Sequence, residues 1–369
     1  MKVLAIMDMQ FGSTGKGLIA GTLARLWKPD TVATAWGPNA GHTFRDGDRI
    51  WVHRMLATSA LAPSVQTILI GPGTVLDLKQ LREEMILARN ELVGKTLIIH
   101  PQAVILGLGD SEQERKHLSQ IGSTMKGTAA AAIRKMWRGD NIVAGHQMGA
   151  VLGELAPQVR NSDMAISVSS KLYDRAIDRS RRLILEGAQG YSLGIHTDFY
   201  PYTTSRDVST AQLLADCRVP TPSEALHVMG VARTFPIRVA NRPEGTSGGC
   251  YPDQEEISWA DISREPELTT VTKLPRRIFT FSDQQLSEAV RVCNAHSLAL
   301  TFCDYLNNPD DIAGQLTEAV VRHVRRVERV APASPVKLMS FGPRLQDVFL
   351  YSARGLEAPG DFDWDTLLR

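Results

Sequence analysis

Three stretches of the chain concentrate residues suited to handling phosphate and protons. The first is Gly12-Ser13-Thr14-Gly15-Lys16-Gly17, directly after the apolar run Lys2 to Met7 and just before Leu18, Ile19, Leu23 and Leu26 at helical spacing. A strand, a glycine-rich turn, a lysine and a helix start place backbone N–H groups and a helix N-terminus around an anion. The spacing is shorter than a Walker A loop, and Gly17 stands where that motif has Ser or Thr. Taken alone, the turn fits a plain tight turn as well as a phosphate site. The second stretch, Asn39-Ala40-Gly41-His42-Thr43, follows the apolar run Thr31 to Trp36 and reads as a loop beside the first. A histidine among Asn and Gly on such a loop is an acid/base candidate. The third, Glu186-Gly187-Ala188-Gln189-Gly190, leaves the strand candidate Leu183–Leu185. There Gln189 suits either a substrate amide or a backbone bond within the turn.

These loops need strands to hold them. Further strand candidates are Thr67–Ile70, Thr96–Ile99, Ala225–Val231 and Leu298–Phe302. Amphipathic helices are predicted over Asp77–Leu92, with Leu78, Leu81, Met85, Ala88 and Leu92 in one stripe, and over Asp310–Val330, with Ile312, Leu316, Val320, Val324 and Val327 in another. Strands alternating with helices predict an α/β fold, a mainly parallel central sheet with helices on both faces, and ligands in such sheets bind at the carboxyl ends of the strands. The 369 residues equal between two and three units of roughly 150 residues, or one large α/β domain with insertions. With no repeat and no low-complexity tract, residues 1–369 read as one domain, and the long loop Arg242 to Gly249 is not a boundary.

Composition excludes several classes. With 43% apolar and 22% charged residues the chain is globular, and 41 basic against 40 acidic residues supply no global field for nucleic acid or an anionic membrane. Cys217, Cys250, Cys293 and Cys303 form no CxxC pair and read as reduced thiols, two of them in buried elements. Asp8 interrupts the apolar start, and no run approaches the 18 or so apolar residues of a membrane helix, so a soluble cytoplasmic protein is expected.

Taken in order, Gln10 to Gly17, Asn39 to Thr43, Gly122-Ser123-Thr124, Glu186 to Gly190, Tyr200-Pro201-Tyr202-Thr203-Thr204-Ser205 and Ser340-Phe341-Gly342-Pro343 resemble adenylosuccinate synthetase over essentially the whole chain. The resemblance implies a P-loop-like α/β sheet, a homodimer and a two-step C–N ligase. The γ-phosphoryl of a nucleoside triphosphate passes to the 6-oxygen of a purine monophosphate, and the amino group of L-aspartate then displaces phosphate. It implies catalytic roles for Ser13, His42, Lys16 and Gln189. Triphosphate contacts are implied for Gly12, Thr14, Gly15, Lys16, Gly17, Gly41, Thr43, Phe302, Asp304, Ser340, Gly342 and Pro343. Monophosphate contacts are implied for Ser13, Asn39, Ser123, Thr124, Arg138, Gln189, Thr204 and Leu274, with Arg138, at the end of a predicted helix Thr128–Arg138, crossing to the neighbouring subunit. Aspartate contacts are implied for Thr269, Thr270, Val271, Thr272 and Arg276, and a Mg²⁺ held in part by Ser13 and the Gly41 carbonyl.

Four positions depart from the family pattern. Ser13 replaces an aspartate that acts as base at purine N1, a task Ser cannot perform unaided at neutral pH. Phe302 replaces the lysine of the guanine-reading Lys-x-Asp, although Asp304 remains. Leu274 replaces an arginine near the ribose, and Met125-Lys126 replaces Gly-Arg. Random decay would also have damaged the phosphate loop, His42 and Gln189. The Asp-to-Ser change resembles the phage branch of the family, which joins dGMP to aspartate and makes N6-succino-2-amino-2′-deoxyadenylate. The alternatives are an archaeal-like enzyme using IMP, aspartate and GTP, and a non-catalytic nucleotide-binding switch. Replacement of the lysine favours ATP or dATP over GTP, with Phe302 as the last core residue of its strand the competing account. An apolar Leu274 favours a deoxyribose. Asp8, at the end of the first strand, is a poor substitute base but within reach of a metal.

Overall fold

The structure, a computed structural model, describes residues 1–159, 163–220, 225–243, 245–269, 273–307, 314–358 and 364. The strand β1 (Lys2–Asp8) shows how the layers arise. Successive side chains of a strand point to opposite faces. Leu4 and Ile6 join one core with Ile19 and Leu23 of the helix α1 (Lys16–Trp27), while Val3, Ala5 and Met7 join a second core with Leu286, Val320, Val324 and Val327. A strand buried on both faces must read as a continuous apolar run, as this one does.

β1 lies inside an eleven-stranded sheet. On one side follow Arg182–Glu186, β2 (Thr31–Thr34), Thr67–Ile70, Thr96–Ile99 and Ala165–Val168; on the other, Leu226–Arg233, Ser297–Thr301, Val336–Ser340, Val348–Ser352 and Gly355–Glu357. All neighbours pair in parallel except the last two strands, which are antiparallel. The chain goes from β1 to β2 two places away, works outward to Ala165–Val168, returns to fill the gap with Arg182–Glu186, and only then crosses to the far side. β1 and its two neighbours therefore flank the point where strand order reverses. Ile6 lies beside Glu186, Asp8 beside Val231 and Arg233 beside Thr301, so four polar residues reach one edge together.

Several elements differ from the sequence expectation at their ends, for local reasons. The predicted helix Asp77–Leu92 ends at Leu87, although Ala88 and Leu92 stay buried on the same face, and the Asp77 side chain caps it by accepting from the Gln80 N–H at 3.1 Å. The helix expected over Asp310–Val330 begins at Glu318, because Thr317 caps it and Gly314 takes a positive φ of 83°; residues 310–313 lie outside the described residues. The helix expected over Thr128–Arg138 ends at Met136, and Arg138 adopts a φ of 57° beyond its end. Three cysteines rather than two are buried, and all four are free. Among the described residues no helix is long and apolar enough to cross a membrane.

Candidate active site

Asp8 organises the phosphate loop. Fully buried at the carboxyl end of β1, it accepts from the amides of Gln10 (2.9 Å) and Gly12 (3.2 Å) through Oδ1, and from Thr14 Oγ1 (2.6 Å) and Lys16 Nζ (2.8 Å) through Oδ2. Both oxygens are occupied, so Asp8 is neither a free base nor an open metal ligand here. Its work is to fold the turn and hold the lysine. Lys16 Nζ also donates to the Gln189 carbonyl at 3.0 Å, which ties the first loop to the third. Two glycines permit this packing. A Cβ on Gly190 would lie 2.1 Å from the Gly12 nitrogen, and one on Gly17 would lie 2.7 Å from the Thr43 carbonyl. Gly17 thus replaces the Ser or Thr of a Walker loop because another strand crosses directly over it.

That strand carries His42. Rather than sitting in a loop, His42 opens the hairpin His42–Asp46 with Arg49–His53. Its Nδ1 lies 2.7 Å from Glu186 Oε1, and its ring packs on Trp36 with centroids 4.1 Å apart. Glu186 is fully buried and also accepts from Thr58 Oγ1 (2.8 Å), Ser59 N (3.1 Å) and Ser59 Oγ (2.9 Å). Burial pushes the His42 pKa below its ordinary value, against the pull of Glu186, and the bond from His42 helps keep the Glu186 carboxyl ionised and below its own. A neutral ring that gives its Nδ1 proton to Glu186 leaves Nε2 as the nitrogen available to a ligand.

The opposite wall is built of arginines. Arg233, fully buried, donates to the Ser13 carbonyl (3.1 Å) and pairs with Glu267 at 2.5 Å. Its guanidinium carbon lies 3.8 Å from the centroid of the Phe302 ring. Phe302 is therefore not the last core residue of its strand. The strand ends at Thr301, whose hydroxyl donates to the Thr14 carbonyl at 2.7 Å, and Phe302 turns out of it with a φ of 56°. Arg276 donates to Ser13 Oγ at 3.0 Å. An arginine cannot take up a proton, so Ser13 in this arrangement is an oriented hydroxyl and not a base. Ser13, Gln189 and Phe302 all have positive φ, at 56°, 64° and 56°. Such strain in non-glycine residues persists where surrounding structure enforces it, and here three instances meet at one site.

The remaining expected residues occupy the rim. Gly41 and Thr43 are exposed, Asn39 is half-buried, and a Cβ on Gly41 would meet nothing within 4 Å, so its backbone is open to a ligand. Ser123 and Thr124 are half-buried; the adjoining Gly122 packs on Ser247 of the long loop, which Arg277 holds through Ser247 Oγ (3.0 Å) and the Gly248 carbonyl (2.6 Å). The Thr204 amide donates to the Leu193 carbonyl at 2.7 Å. The Ser340 hydroxyl donates to the Gly342 carbonyl at 2.7 Å, Pro343 is exposed, and this strand end packs against the turn holding Asp304. Thr269 and the partly exposed Leu274 close a small turn through Thr269 N to the Leu274 carbonyl (2.9 Å) and Leu274 N to Thr269 Oγ1 (3.1 Å). Thr270, Val271 and Thr272 lie outside the described residues. Arg138 is exposed. No group of three or more His, Cys, Asp or Glu suited to a metal occurs among the described residues. Sequence reasoning missed Glu186, Arg233 and Glu267 as site residues; a charged residue at the end of an apolar strand was the available signal for the first two.

This is a glycine-rich strand-to-helix loop of the kind that can cradle a phosphate, at the switch point of an α/β sheet, flanked by a carboxylate-held histidine and an arginine wall. The chain belongs to the adenylosuccinate synthetase family, whose model matches residues 5–145 and 141–313, and whose members are C–N bond-forming ligases. It is 40% identical over 360 residues to the N6-succino-2-amino-2′-deoxyadenylate synthase of Salmonella phage PMBT28, covering 95% of this chain and 97% of that one. Its fold resembles the succinoaminodeoxyadenylate synthetase of cyanophage S-2L bound to dGMP and dATP as an energy donor, with a TM-score of 0.83, 37% identity and 96% of each chain covered. The adenylosuccinate synthetase of Methanocaldococcus jannaschii is 28% identical, over 92% of this chain and 94% of its own.

Proposed function

We propose that the protein joins dGMP to L-aspartate at the expense of ATP or dATP, giving N6-succino-2-amino-2′-deoxyadenylate, orthophosphate and the nucleoside diphosphate. The observation that carries this reading is an intact Lys16 loop and His42–Glu186 pair beside Ser13, a hydroxyl where the family has a carboxylate. In the first step the γ-phosphoryl moves to O6 of guanine, the bond to the β-phosphate oxygen breaks to release the diphosphate, and the N1 proton passes to a bound water or a phosphate oxygen, since Ser13 cannot take it. In the second the aspartate nitrogen bonds to C6, and the C6–O bond breaks to release phosphate. Lys16 and the loop amides neutralise and align the transferring group, which is most of what phosphoryl transfer requires. His42 keeps its Nδ1–H on Glu186 and, once a second proton sits on Nε2, donates from there to the oxyanion at O6. Ser13 accepts from the 2-amino group of guanine, and Gln189 holds the monophosphate. Arg276, freed from Ser13, binds an aspartate carboxylate.

Mg²⁺ would be held by hard oxygen donors, the Ser13 hydroxyl and the backbone carbonyl of Gly41, both residues being exposed. When bound it supplies charge neutralisation on the triphosphate. A C2 homodimer also belongs to this reading. Ile133, Met136 and Trp137, 44%, 71% and 79% exposed, form an apolar surface directly before the exposed Arg138, which would reach the neighbouring monophosphate once that surface is covered. On this reading the enzyme works in the cytoplasm, where its nucleotide substrates are.

The test is a panel crossing dGMP, GMP, dIMP and IMP with ATP, dATP and GTP, following phosphate release. Release should require both monophosphate and aspartate and be fastest with dGMP and an adenine donor. Preference for IMP would overturn the substrate assignment, and release without aspartate would overturn the ligase.

A further inference from the structure

The turn Thr58–Leu61 supplies the donors that flank His42 on Glu186: Thr58 Oγ1, Ser59 N and Ser59 Oγ. Two buried charges that the mechanism above does not use grip the chain on either side of this turn. On the entering side Glu84, 1% exposed on the helix Leu78–Leu87, accepts from the amides of Arg54 (2.6 Å), Met55 (3.0 Å) and Leu56 (2.8 Å). Arg54 directly follows His53, which pairs with His42 across the hairpin. On the leaving side the buried Lys95 donates through Nζ to the carbonyls of Ala60 (2.8 Å) and Ala62 (2.7 Å). The carboxylate meets N–H groups and the ammonium meets carbonyls, so each charge holds backbone of the polarity it suits.

We propose that Glu84 and Lys95 are positioning residues, clamping segment 54–62 so that Thr58 and Ser59 keep the Glu186 carboxylate aimed at His42 Nδ1. Neither side chain touches the reacting groups. Their effect runs through the backbone of the turn to three donors, then through Glu186 to the histidine. Packing alone does not call for these charges, since Leu81 and Met85 of the same helix already bury its core face. Burial pushes the Glu84 pKa up to about 7 and the Lys95 pKa down to about 8, so both charges are held at a desolvation cost. A loosened clamp should cost rate rather than binding, because the oxyanion that His42 meets develops only as the reaction proceeds. This inference rests on the role of His42 proposed above and deepens it.

The experiment measures kcat and the KM values for dGMP, ATP and aspartate in wild type, Glu84→Gln, Lys95→Met and Glu186→Gln. It adds the double variants that combine Glu84→Gln or Lys95→Met with Glu186→Gln, and urea unfolding to establish that each is folded. Glu84→Gln and Lys95→Met should each lower kcat about tenfold and leave the three KM values within about twofold of wild type. In the Glu186→Gln background the same substitutions should change kcat by less than about twofold, because the route they act through is already cut. A purely structural role would raise KM, or take an equal toll in both backgrounds, and either result overturns the clamp. So does an unchanged kcat in both single variants. Should Glu84→Gln fail to fold, Lys95→Met reads the same clamp from its other side; failure of both to fold marks them as structural and overturns it too. If Glu186→Gln costs rate but the clamp variants add to it in full, the clamp falls and the His42 role survives. If Glu186→Gln itself leaves kcat unchanged, both fall.

Discussion

The two walls of the site are built on different principles. The wall formed by β1, the strand Arg182–Glu186 and the hairpin of His42 is dry, and Asp8 and Glu186 have both carboxylate oxygens engaged. The wall formed by Arg233, Arg276, Glu267 and Phe302 is only part-buried, and of its two contacts to Ser13 the one from Arg276 lies on the exposed side. The first wall is arranged before any ligand arrives, as phosphoryl transfer demands, since positioning and fixed dipoles carry most of that catalysis. The second must exchange partners, because Arg276 cannot hold Ser13 and a substrate carboxylate in the same way at once. Substitutions in the first wall should therefore damage rate and stability together, and those in the second should move specificity.

The largest effect is expected at Lys16. Lys16→Met should lower turnover roughly 10³-fold. It should also destabilise the fold, because it leaves the fully buried Asp8 with only a hydroxyl and two amides. Breaking a buried pair from one side costs about 3–5 kcal/mol. The double variant Lys16→Met/Asp8→Asn should recover part of that loss in urea unfolding while staying inactive. A Lys16→Met protein as stable as wild type would show that Asp8 is satisfied without it.

A smaller effect should separate the walls by pH. His53, cross-strand partner of His42, is fully buried, neither ring nitrogen has a hydrogen-bond partner among the described residues, and burial lowers its pKa to about 4. Because the folded value lies below the ordinary 6.5, the unfolded chain binds more protons between pH 6.5 and 4. Stability from this group is complete above pH 6.5 and is lost as pH falls towards 4, by about 3 kcal/mol over the whole window. His323, also lowered to about 4, contributes with the same sign from the helix Glu318–Val330. His53→Leu should flatten the decline of unfolding free energy between pH 7 and 5 by the share of one histidine. An unchanged slope would mean that His53 titrates in the fold as it does in the unfolded chain.

Next comes Glu186. Glu186→Gln should lower kcat about 10²-fold, with KM for dGMP little changed, since the carboxylate acts only through His42. Combined with His42→Asn it should cost no more than His42→Asn alone, because the two act as one unit. A fully additive double variant would show that Glu186 does something independent of the histidine.

The same division explains what could be read from sequence. The phosphate loop was legible because its parts are contiguous, and a strand buried on both faces betrays itself as an apolar run. The central strands from β1 to Ser297–Thr301 were found within a residue or two for that reason, whereas the edge strand Ala165–Val168 and the three strands at the other end of the sheet, Val336–Ser340, Val348–Ser352 and Gly355–Glu357, were missed. The arginine wall has no local pattern: Arg276 meets Ser13 across 263 positions and Arg233 meets the Ser13 carbonyl across 220. Only topology brings them together. The resemblance supplied Arg276, since it lies within a family segment, but neither resemblance nor spacing supplied Glu267 or the stacking of Phe302 on Arg233.

The smallest and sharpest effect is expected at Ser13, where the walls touch. Guanine differs from hypoxanthine by the 2-amino group beside N1, which needs space and an acceptor. Ser13 offers both: it is small and exposed, and its oxygen becomes free to accept once Arg276 leaves it for the aspartate carboxylate. Ser13→Asp would place a carboxylate beside Arg276 in fork geometry, an attraction stronger than the present neutral contact. Two consequences pull in different directions. The carboxylate restores a base at N1 and should give IMP measurable turnover, while the bound arginine should be slower to release to aspartate and raise its KM. With dGMP the larger side chain should also crowd the 2-amino group, so kcat/KM should fall about tenfold, near 1.4 kcal/mol. The ratio of IMP to dGMP turnover and the KM for aspartate are the measurements. If dGMP turnover is unchanged, IMP gains nothing and the aspartate KM stays put, Ser13 is a permissive turn residue and the discrimination lies in the rim beyond it.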